Sequence, residues 1–306
     1  MATTLQQSRT SKAKRYTPPL VVWAFLIPGA ILLGIFLVAP FALAVGMSFT
    51  SLRLISPLPL KFLGWQNYAR TFVDPLFRQA LQNNFLFALV VVPLQTSLAL
   101  WMAILVNQKI RFVKFFRTLF FLPLTTVLTV AATVWSLLYI PDTGFVNGFL
   151  RALTFGHFQP HWLYDPHFAL TAVMIVGIWQ SAGFQMVIFL AGLQEIPEEL
   201  YEAVAIDGAG SWTKFRYVTL PGLRNTLIFV VTVTTIFAFR LFDAVYIMTK
   251  GGPLGSTETM LLRVYEVGFD QQKIAVGAAI SVVFFLIVLV VSIIQRIFVH
   301  EEGGLA

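Results

Sequence analysis

Charged residues are scarce in this chain: they make up 11% of its 306 residues, whereas 58% are hydrophobic. A soluble domain usually carries about 25% charged residues, because polar side chains must cover its surface. The few charges are also unevenly placed. Five windows contain no Asp, Glu, Lys or Arg: 16–52, 79–108, 118–141, 166–194 and 274–295. This composition excludes an ordinary soluble protein and indicates an integral membrane protein.

Each charge-free window is longer than the roughly 20 residues that cross a bilayer core as a helix. A sixth apolar stretch, 225–248, is interrupted only by Arg240 and Asp243. Because the runs are continuously apolar and do not alternate, helices are favoured over spanning strands. The sequence therefore predicts an all-α membrane protein with about six transmembrane helices. We place them near residues 20–47, 81–106, 118–140, 167–193, 226–248 and 274–298.

The chain also lacks the residues of most catalytic sites. It has no cysteine, which excludes disulfides, thiol catalysis and thiolate metal sites. It has no G-x-x-x-x-G-K-[ST] segment, so we do not expect it to bind or hydrolyse ATP itself. His157 and His161 have a spacing that could hold a metal on a helix, but Pro160 lies between them and disfavours a helix. We therefore predict no catalytic residue, no metal site and no enzyme activity.

Basic residues cluster beside the predicted spans, as the positive-inside rule describes for cytoplasmic segments. Four precede the first span and four occupy the short loop after the second: Arg9, Lys12, Lys14, Arg15, then Lys109, Arg111, Lys114 and Arg117. Six spans would return the C-terminus to the same side, so we expect both termini in the cytoplasm. The predicted external loop 49–80 departs from the rule, since it holds Arg53, Lys61, Arg70 and Arg78.

The predicted spans give a single membrane domain with short tails. We expect a cytoplasmic N-terminal tail over 1–19, and the first helix with its external loop over 20–79. The main transmembrane domain covers 80–298, and a cytoplasmic C-terminal tail covers 299–306. No segment between the spans is long enough to fold as a separate soluble domain.

One cytoplasmic segment, 195–222, breaks the apolar pattern. It is predicted to form two short helices: Pro197 suits the start of the first, and the second begins near Ser211. Asp207-Gly208 marks the turn between them, because glycine reaches backbone conformations that other residues resist. The alternative is an amphipathic linker lying on the membrane. The acidic residues that open the segment disfavour this alternative, since such helices carry basic polar faces.

Within this segment, Glu202-Ala203-Val204-Ala205-Ile206-Asp207-Gly208-Ala209, followed by Phe215 and Leu220-Pro221, resembles the EAA loop of ABC importer permeases. The family pattern is E-A-A, two residues, D-G-A, five residues, F, four residues, L-P. This sequence departs from it at Val204, where the family usually has alanine. The resemblance implies a coupling helix that docks on a separate ATPase subunit. The residues it assigns to that joint are Glu202, Ala203, Asp207, Gly208, Ala209, Phe215 and Pro221.

Four further segments resemble the carbohydrate branch of that family, the maltose and glycerol-3-phosphate type permeases. They are Phe25 to Gly29, Gly64 to Tyr68, Phe116 to Pro123, and Thr249 to Pro253. The resemblance implies a maltose-permease-like fold in a bacterial-type inner membrane, with a path for a sugar or sugar-like solute. It also implies a second, related permease, two ATP-binding subunits that use ATP and magnesium, and an external substrate-binding protein. The chain itself would bind no cofactor and no nucleic acid.

Two alternatives to a sugar importer remain at this point. The first is an importer of the same type for another solute class. The second is a secondary transporter or channel without an ATPase, which the EAA-like loop and the scarcity of intramembrane charge both disfavour.

Arg240 and Asp243 are the charges within a predicted span. Such groups are costly in a bilayer and often mark a pathway. On a continuous helix this spacing places them on one face, where they could neutralise one another, so both a structural pair and a polar path are open. Because sugars bind aromatic faces, Phe239, Phe242 and Tyr246 are candidate path residues too. For each aromatic residue, ordinary helix packing is the alternative.

Overall fold

The computed structural model describes residues 19–55, 59–108 and 111–301. Most of both predicted tails, and the basic residues Arg9, Lys12, Lys14, Arg15 and Lys109, therefore lie outside the described residues. Thirteen helices are labelled in chain order: α1 Trp23–Ser48, α2 Gln66–Val73, α3 Pro75–Asn107, α4 Val113–Phe121, α5 Leu128–Leu138, α6 Phe145–Leu153, α7 Pro166–Glu195, α8 Glu198–Ile206, α9 Ser211–Lys214, α10 Arg224–Phe239, α11 Asp243–Met248, α12 Met260–Tyr265 and α13 Ile274–Glu301. Within the described ranges the β-structure is a single bridge between Thr50 and Phe62, which confirms the all-α prediction.

Five helical segments are long and apolar enough to cross a membrane: α1, α3, α7, α10 continued by α11, and α13. The bent pair α4 and α5 makes a sixth if it is counted as one span. The expected number of about six is therefore confirmed.

Two spans begin with the same local signal, an aspartate followed by proline. Asp74 Oδ1 accepts from the Leu76 backbone N–H at 3.1 Å, and Asp165 Oδ1 accepts from the His167 N–H at 2.9 Å, which caps each helix where proline needs no donor.

The third span differs from the continuous helix predicted over 118–140. A 3₁₀ turn, Leu122–Thr125, follows α4, and α4 and α5 then meet at 97°. Pro123 lacks the N–H that a helix would use at this point, and Val127 is extended (φ −59°, ψ 133°). Both features interrupt the helical hydrogen bonds, so the backbone turns here. Hydrophobicity alone does not reveal this interruption and therefore predicts a straight span.

The fifth span is also interrupted, because α10 ends at Phe239 and α11 begins at Asp243. Asn84 of α3 is fully buried and hydrogen-bonds to the end of α10 and to the start of α12. Its Nδ2 donates to the Phe239 carbonyl at 3.2 Å, and its Oδ1 accepts from the Met260 N–H at 2.8 Å. Irregular backbone at membrane depth requires such internal partners. The prediction of one helix over 226–248 is therefore wrong at residues 240–242.

The centre of the bundle is formed by α3 and α7, which pack along much of their length, with α10 crossing α3. The first span, α1, is different. Its second half, Ala39–Ser48, contacts α13, and the rings of Phe41 and Phe285 lie 4.6 Å apart. None of its most apolar 18-residue window is buried within the chain, whereas the windows of α3, α7, α10 with α11, and α13 are 39–56% buried.

A buried cluster of charges joins the segment after α11 to the start of α3. Arg263 of α12 donates from Nη2 to Asp74 Oδ2 at 2.6 Å and from Nη1 to Glu266 Oε2 at 3.4 Å. Glu258 lies beside them and is 3% exposed, and its Oε1 has no hydrogen-bond partner among the described residues. Burial, followed by the nearby carboxylate of Glu266, raises the pKa of Glu258 to about 8.

This raised pKa predicts that the protein loses stability as pH rises from about 5 to 8. The folded state keeps the Glu258 proton over this range, while the unfolded chain releases it near the ordinary glutamate pKa of 4.5. The folded state thus binds more protons, and stability falls by up to about 1.4 kcal/mol per pH unit. Thermal melts from pH 5 to 9 should show this slope in the wild type and a flatter profile in Glu258→Gln. Equal slopes of stability against pH in the two proteins would show that the pKa of Glu258 is not raised in the folded state.

Candidate coupling loop and translocation cavity

The segment 195–222 folds as a helical hairpin between α7 and α10. The chain leaves α7 through the extended residues Ile196 and Pro197, and α8 follows. After a turn, α9 runs into a π-helical turn, Phe215–Thr219, and then into Leu220–Gly222 just before α10. The predicted pair of short helices and the position of the second are confirmed. Pro197 precedes α8 at its N-cap rather than lying in its first turn.

The turn between α8 and α9 depends on Gly208. Its φ is +76°, a left-handed conformation that costs residues with a Cβ. The Gly208 N–H donates to the Ala205 carbonyl at 3.0 Å, and the Ala209 N–H donates to the Val204 carbonyl at 3.2 Å. These bonds close the end of α8. No other atom lies within 4 Å of the position of a Cβ on Gly208, so any side chain there would be resisted by backbone conformation alone.

Asp207 does not cap the helix that follows it. A short carboxylate beside this turn could cap α9, but no side chain caps α9, whose N-cap residue is Gly210. Asp207 is exposed, and its side chain makes no hydrogen bond or ion pair within the described ranges. Its carboxylate is therefore free to meet a partner.

The tip of the hairpin exposes large apolar side chains as well as the residues of the motif. Ile206 is 87% exposed, and Trp212 and Tyr217 are about 70% exposed. Among the motif residues, Glu202, Ala203, Asp207, Gly208 and Pro221 are exposed, while Ala209 and Phe215 are half-buried. Exposed apolar side chains outside a span mark an interaction surface. The motif pattern did not single out Ile206, Trp212 and Tyr217, although large apolar residues in a polar segment are a usable signal.

The base of the hairpin is fixed to the membrane helices. The Tyr201 hydroxyl lies 3.0 Å from Thr219 Oγ1, which joins α8 to the returning segment of the hairpin. Gly222 packs so closely on Ile196 that a Cβ would lie 2.7 Å from the Ile196 Cδ1 atom. The hairpin is therefore held at its base beside the end of α7 and the start of α10.

A cavity of about 300 Å³ lies between α3, α5, α7 and the break in the fifth span. Its walls combine apolar side chains with several uncharged polar ones. The polar residues are Gln95 of α3, Gln180 and Ser181 of α7, and Thr234 of α10. The break contributes Arg240, Leu241, Phe242 and Asp243. This mixture of apolar walls and few polar groups is typical of a small-molecule site.

Arg240 and Asp243 do not form the neutralising pair that a continuous helix would allow. The interruption at residues 240–242 removes their shared face, and Phe242 has φ −140° and ψ −62°. Both side chains are exposed in this chain. The ion pairs within the described ranges join Arg263 to Asp74 and to Glu266, and none joins Arg240 to Asp243. Of the two interpretations left open, the geometry therefore favours the polar path.

The three candidate aromatic residues have different positions. Phe242 lines the cavity, and its ring stacks on Tyr246 with centroids 5.4 Å apart. Tyr246 is half-buried and also contacts Tyr265 of α12 at 5.4 Å. Phe239, by contrast, is 1% exposed and packs against Phe85 and Phe284 in the core. Its position matches ordinary helix packing, the alternative that the sequence left open.

The polar groups of the cavity were not predicted from sequence, because single Gln, Ser and Thr residues in apolar spans have no distinctive pattern. The structure shows what holds some of them. Gln180 Nε2 donates to the Thr126 carbonyl, at the bend between α4 and α5, at 2.9 Å. Gln185 Nε2 donates to Thr234 Oγ1. The bend and the break, both missed from sequence, are thus the features that shape the cavity.

Comparison with known proteins agrees with this arrangement. Residues 95–301 match the family described as "Binding-protein-dependent transport system inner membrane component". The lactose transport system permease protein LacF of Rhizobium radiobacter is 35% identical over 299 residues, covering 96% of this chain and 97% of that protein. The trehalose/maltose transport system permease protein MalF of Thermococcus litoralis is 32% identical over 292 residues, covering 95% and 97%.

Among solved structures, a chain of a bacterial alginate ABC transporter, in complex with an alginate pentasaccharide-bound periplasmic protein, matches with a TM-score of 0.81. The match covers 93% of this chain and 96% of that chain, at 20% identity, and therefore concerns the fold. It supports the helical bundle as the fold of this chain. The chain belongs to the binding-protein-dependent transport system inner membrane components, the permease subunits of ABC importers, and is a multi-pass membrane protein that acts in transport and not as an enzyme.

Proposed function

We propose that this permease forms the path for a sugar or sugar-like solute. The observation that carries the proposal is the cavity at the break of the fifth span, where Phe242 offers an aromatic ring beside Gln and Thr side chains and two exposed charges. Aromatic faces with convergent hydrogen-bonding groups suit a pyranose ring. Relatives that span nearly the whole chain carry names for lactose and trehalose/maltose transport, which supports the same solute class.

The proposed assembly contains a second, related permease, two copies of an ATP-binding subunit and an external substrate-binding protein. The second permease would complete the path, since Arg240 and Asp243 are open to the exterior of this single chain. ATP and magnesium would be used by the ATP-binding subunits, with no cofactor on this chain. The exposed hairpin tip, with Ile206 and Trp212, would dock on one of them.

Reconstitution of the complete assembly tests the function. Proteoliposomes should accumulate a labelled sugar when ATP, the binding protein and this chain are all present. Omitting this chain should abolish accumulation, and a panel of mono- and oligosaccharides, with amino acids and peptides as comparison, should identify the solute class. ATP-driven accumulation of an amino acid but of no sugar would overturn the sugar assignment and leave the importer assignment intact.

We expect the two charges of the cavity to act separately in transport. Asp243→Asn and Arg240→Gln should each lower the uptake rate, by roughly tenfold if each makes one charge-assisted contact worth about 1.4 kcal/mol during transport. The double variant should be no better than either single one, because the two groups do not pair in the structure. Uptake is measured at equal amounts of protein in the membrane. Recovery of uptake in the double variant would instead indicate mutual neutralisation.

The orientation of the chain is a further proposal, based on the basic residues beside the spans. It places the hairpin in the cytoplasm and the loop between α11 and α12 outside. Cysteine labelling suits a chain without cysteine. Thr257 is fully buried and unsuitable, whereas Leu254 and Ile206 are both 87% exposed. In intact cells Leu254→Cys should react with an impermeant maleimide and Ile206→Cys should not, until the cells are opened. The opposite pattern would reverse the orientation.

A further inference from the structure

A second cavity, of about 600 Å³, lies at the opposite end of the bundle from the hairpin and outside the path described above. Its walls come from the segment after α1, from α2, and from the region between α12 and the first turns of α13. Backbone bonds fix these walls to one another. The Leu54 N–H donates to the Gln272 carbonyl at 2.9 Å, and the Ala275 N–H donates to the Leu52 carbonyl at 3.0 Å. The cavity is thus held between sequence-distant segments and does not belong to one flexible loop.

The charge facing this cavity is strongly positive. Four cations line it, Arg53, Arg70, Arg263 and Lys273, against one carboxylate, Asp74. The Arg263 charge is already engaged by Asp74 and Glu266. Within the described ranges, Arg53 and Arg70 have no carboxylate partner, and Lys273 donates to the uncharged Gln271 at 3.0 Å. Three cations therefore line one cavity without an ion-pair partner among the described residues, and together they would attract a phosphate or carboxylate.

Apolar side chains also line the cavity: Leu52, Leu63, Val267, Val276 and Ile280. Val267 and Ile280 among them are almost fully buried. Phe62, Trp65 and Phe72 lie on the same segments as the lining residues and are all exposed. Exposed Trp and Phe beside the end of a span are typical of the membrane–water interface. Cations together with apolar and interfacial aromatic side chains fit an amphipathic anion better than a soluble one.

We propose that this cavity binds the headgroup of an anionic phospholipid from the leaflet at this end of the bundle. The phosphate would lie between Arg53, Arg70 and Lys273. The assignment accounts for two of the four basic residues that depart from the positive-inside rule in loop 49–80, because Arg53 and Arg70 would gain a fixed anion. The lipid would also bridge the end of α1 to α13.

Native mass spectrometry of the purified full-length chain in neutral detergent tests the proposal. The probes are phosphatidylglycerol and phosphatidylcholine with the same acyl chains. The wild type should bind phosphatidylglycerol more tightly. Because a basic side chain near a lipid surface changes affinity about fivefold, Arg53→Gln with Arg70→Gln should weaken this binding by roughly 25-fold. Phosphatidylcholine binding should be unchanged, and Arg70→Lys should retain most of the phosphatidylglycerol affinity.

Lys61→Gln is the matched control, since Lys61 lies in the same loop, is exposed, and does not line the cavity. It should bind phosphatidylglycerol as the wild type does. Equal binding of the two lipids by the wild type, or an unchanged affinity in the double variant, would overturn the proposal. So would full displacement of the lipid by millimolar inorganic phosphate, which would indicate a soluble-anion site. Loss of binding-protein-stimulated ATP hydrolysis with phosphatidylglycerol affinity intact would instead make this a protein-docking surface.

Discussion

Replacing Gly208 by valine should uncouple the transporter while leaving the membrane helices folded. A β-branched residue at φ +76° costs on the order of 1–3 kcal/mol, and the turn between α8 and α9 can avoid this cost by changing shape. The exposed tip would then present Ile206 and Trp212 in a different arrangement. Substrate delivered by the binding protein should no longer stimulate ATP hydrolysis, and stimulation should fall at least tenfold. Pull-down of the ATP-binding subunit and stimulated hydrolysis are the measurements.

The same turn supplies two matched controls. Gly210 is two residues away, and a Cβ added to it would also have no atom within 4 Å, but its φ is −73°. Gly210→Val adds the same bulk without the conformational cost and should keep most of the stimulation. Gly208→Asn should be intermediate, because asparagine tolerates the left-handed region. If Gly208→Val keeps wild-type docking and stimulation, the hairpin is not the coupling element.

Replacing Gly183 by alanine should destabilise the whole bundle, although only one methyl group is added. A Cβ at Gly183 would overlap the Phe120 carbonyl, lying 2.9 Å from its carbon and 3.1 Å from the Phe121 Cα. These neighbours are backbone atoms at the end of α4, so relief requires moving the bent pair away from α7. Such overpacking costs about 3 kcal/mol, and the melting temperature should fall by roughly 5–10 °C.

Gly177 provides the control on the same helix. Its Cβ would meet only the tip of the Phe87 ring, at 3.5 Å, an ordinary contact distance. Because alanine is a better helix former than glycine, Gly177→Ala should leave the melting temperature unchanged or slightly raised. The measurement is the melting temperature of both variants, Gly183→Ala and Gly177→Ala, in the same detergent. Similar melting temperatures for the two would show that α4 does not approach α7 as closely as described.

The number and approximate position of the spans could be predicted from sequence, because a segment that crosses the bilayer must be apolar and nearly free of charge along its length. The hairpin could also be predicted, since Pro197, Gly208 and Pro221 are local signals whose effects do not depend on the rest of the fold. The direction of a span, however, is not encoded in its hydrophobicity. Pro123 signals a possible kink but does not give its 97° angle, which depends on how closely α4 packs against Gly183.

The cavity was only partly predictable for a related reason. Arg240 and Asp243 are recognisable as unusual in a span, and both do line it. Whether they pair could not be decided from sequence, because the helix is interrupted beside them, where Asn84, more than a hundred residues away, donates to the Phe239 carbonyl. The role of Asn84 depends on this distant pairing, and the same holds for Gln180 at the bend. Tertiary contacts of this kind leave no local trace in sequence.

The exposure of α1 has a consequence for how the protein is made. A helix that buries none of its apolar window against its own chain gains little from the bundle, so lipid must suffice to keep it helical and inserted. It can therefore enter the membrane and persist there before α3 and α7 have been synthesised, and the bundle can close later without rearranging it. We therefore expect assembly to divide into two steps, insertion of α1 and compaction of the remaining spans, which join at the C-terminal half of α1, where Phe41 contacts Phe285.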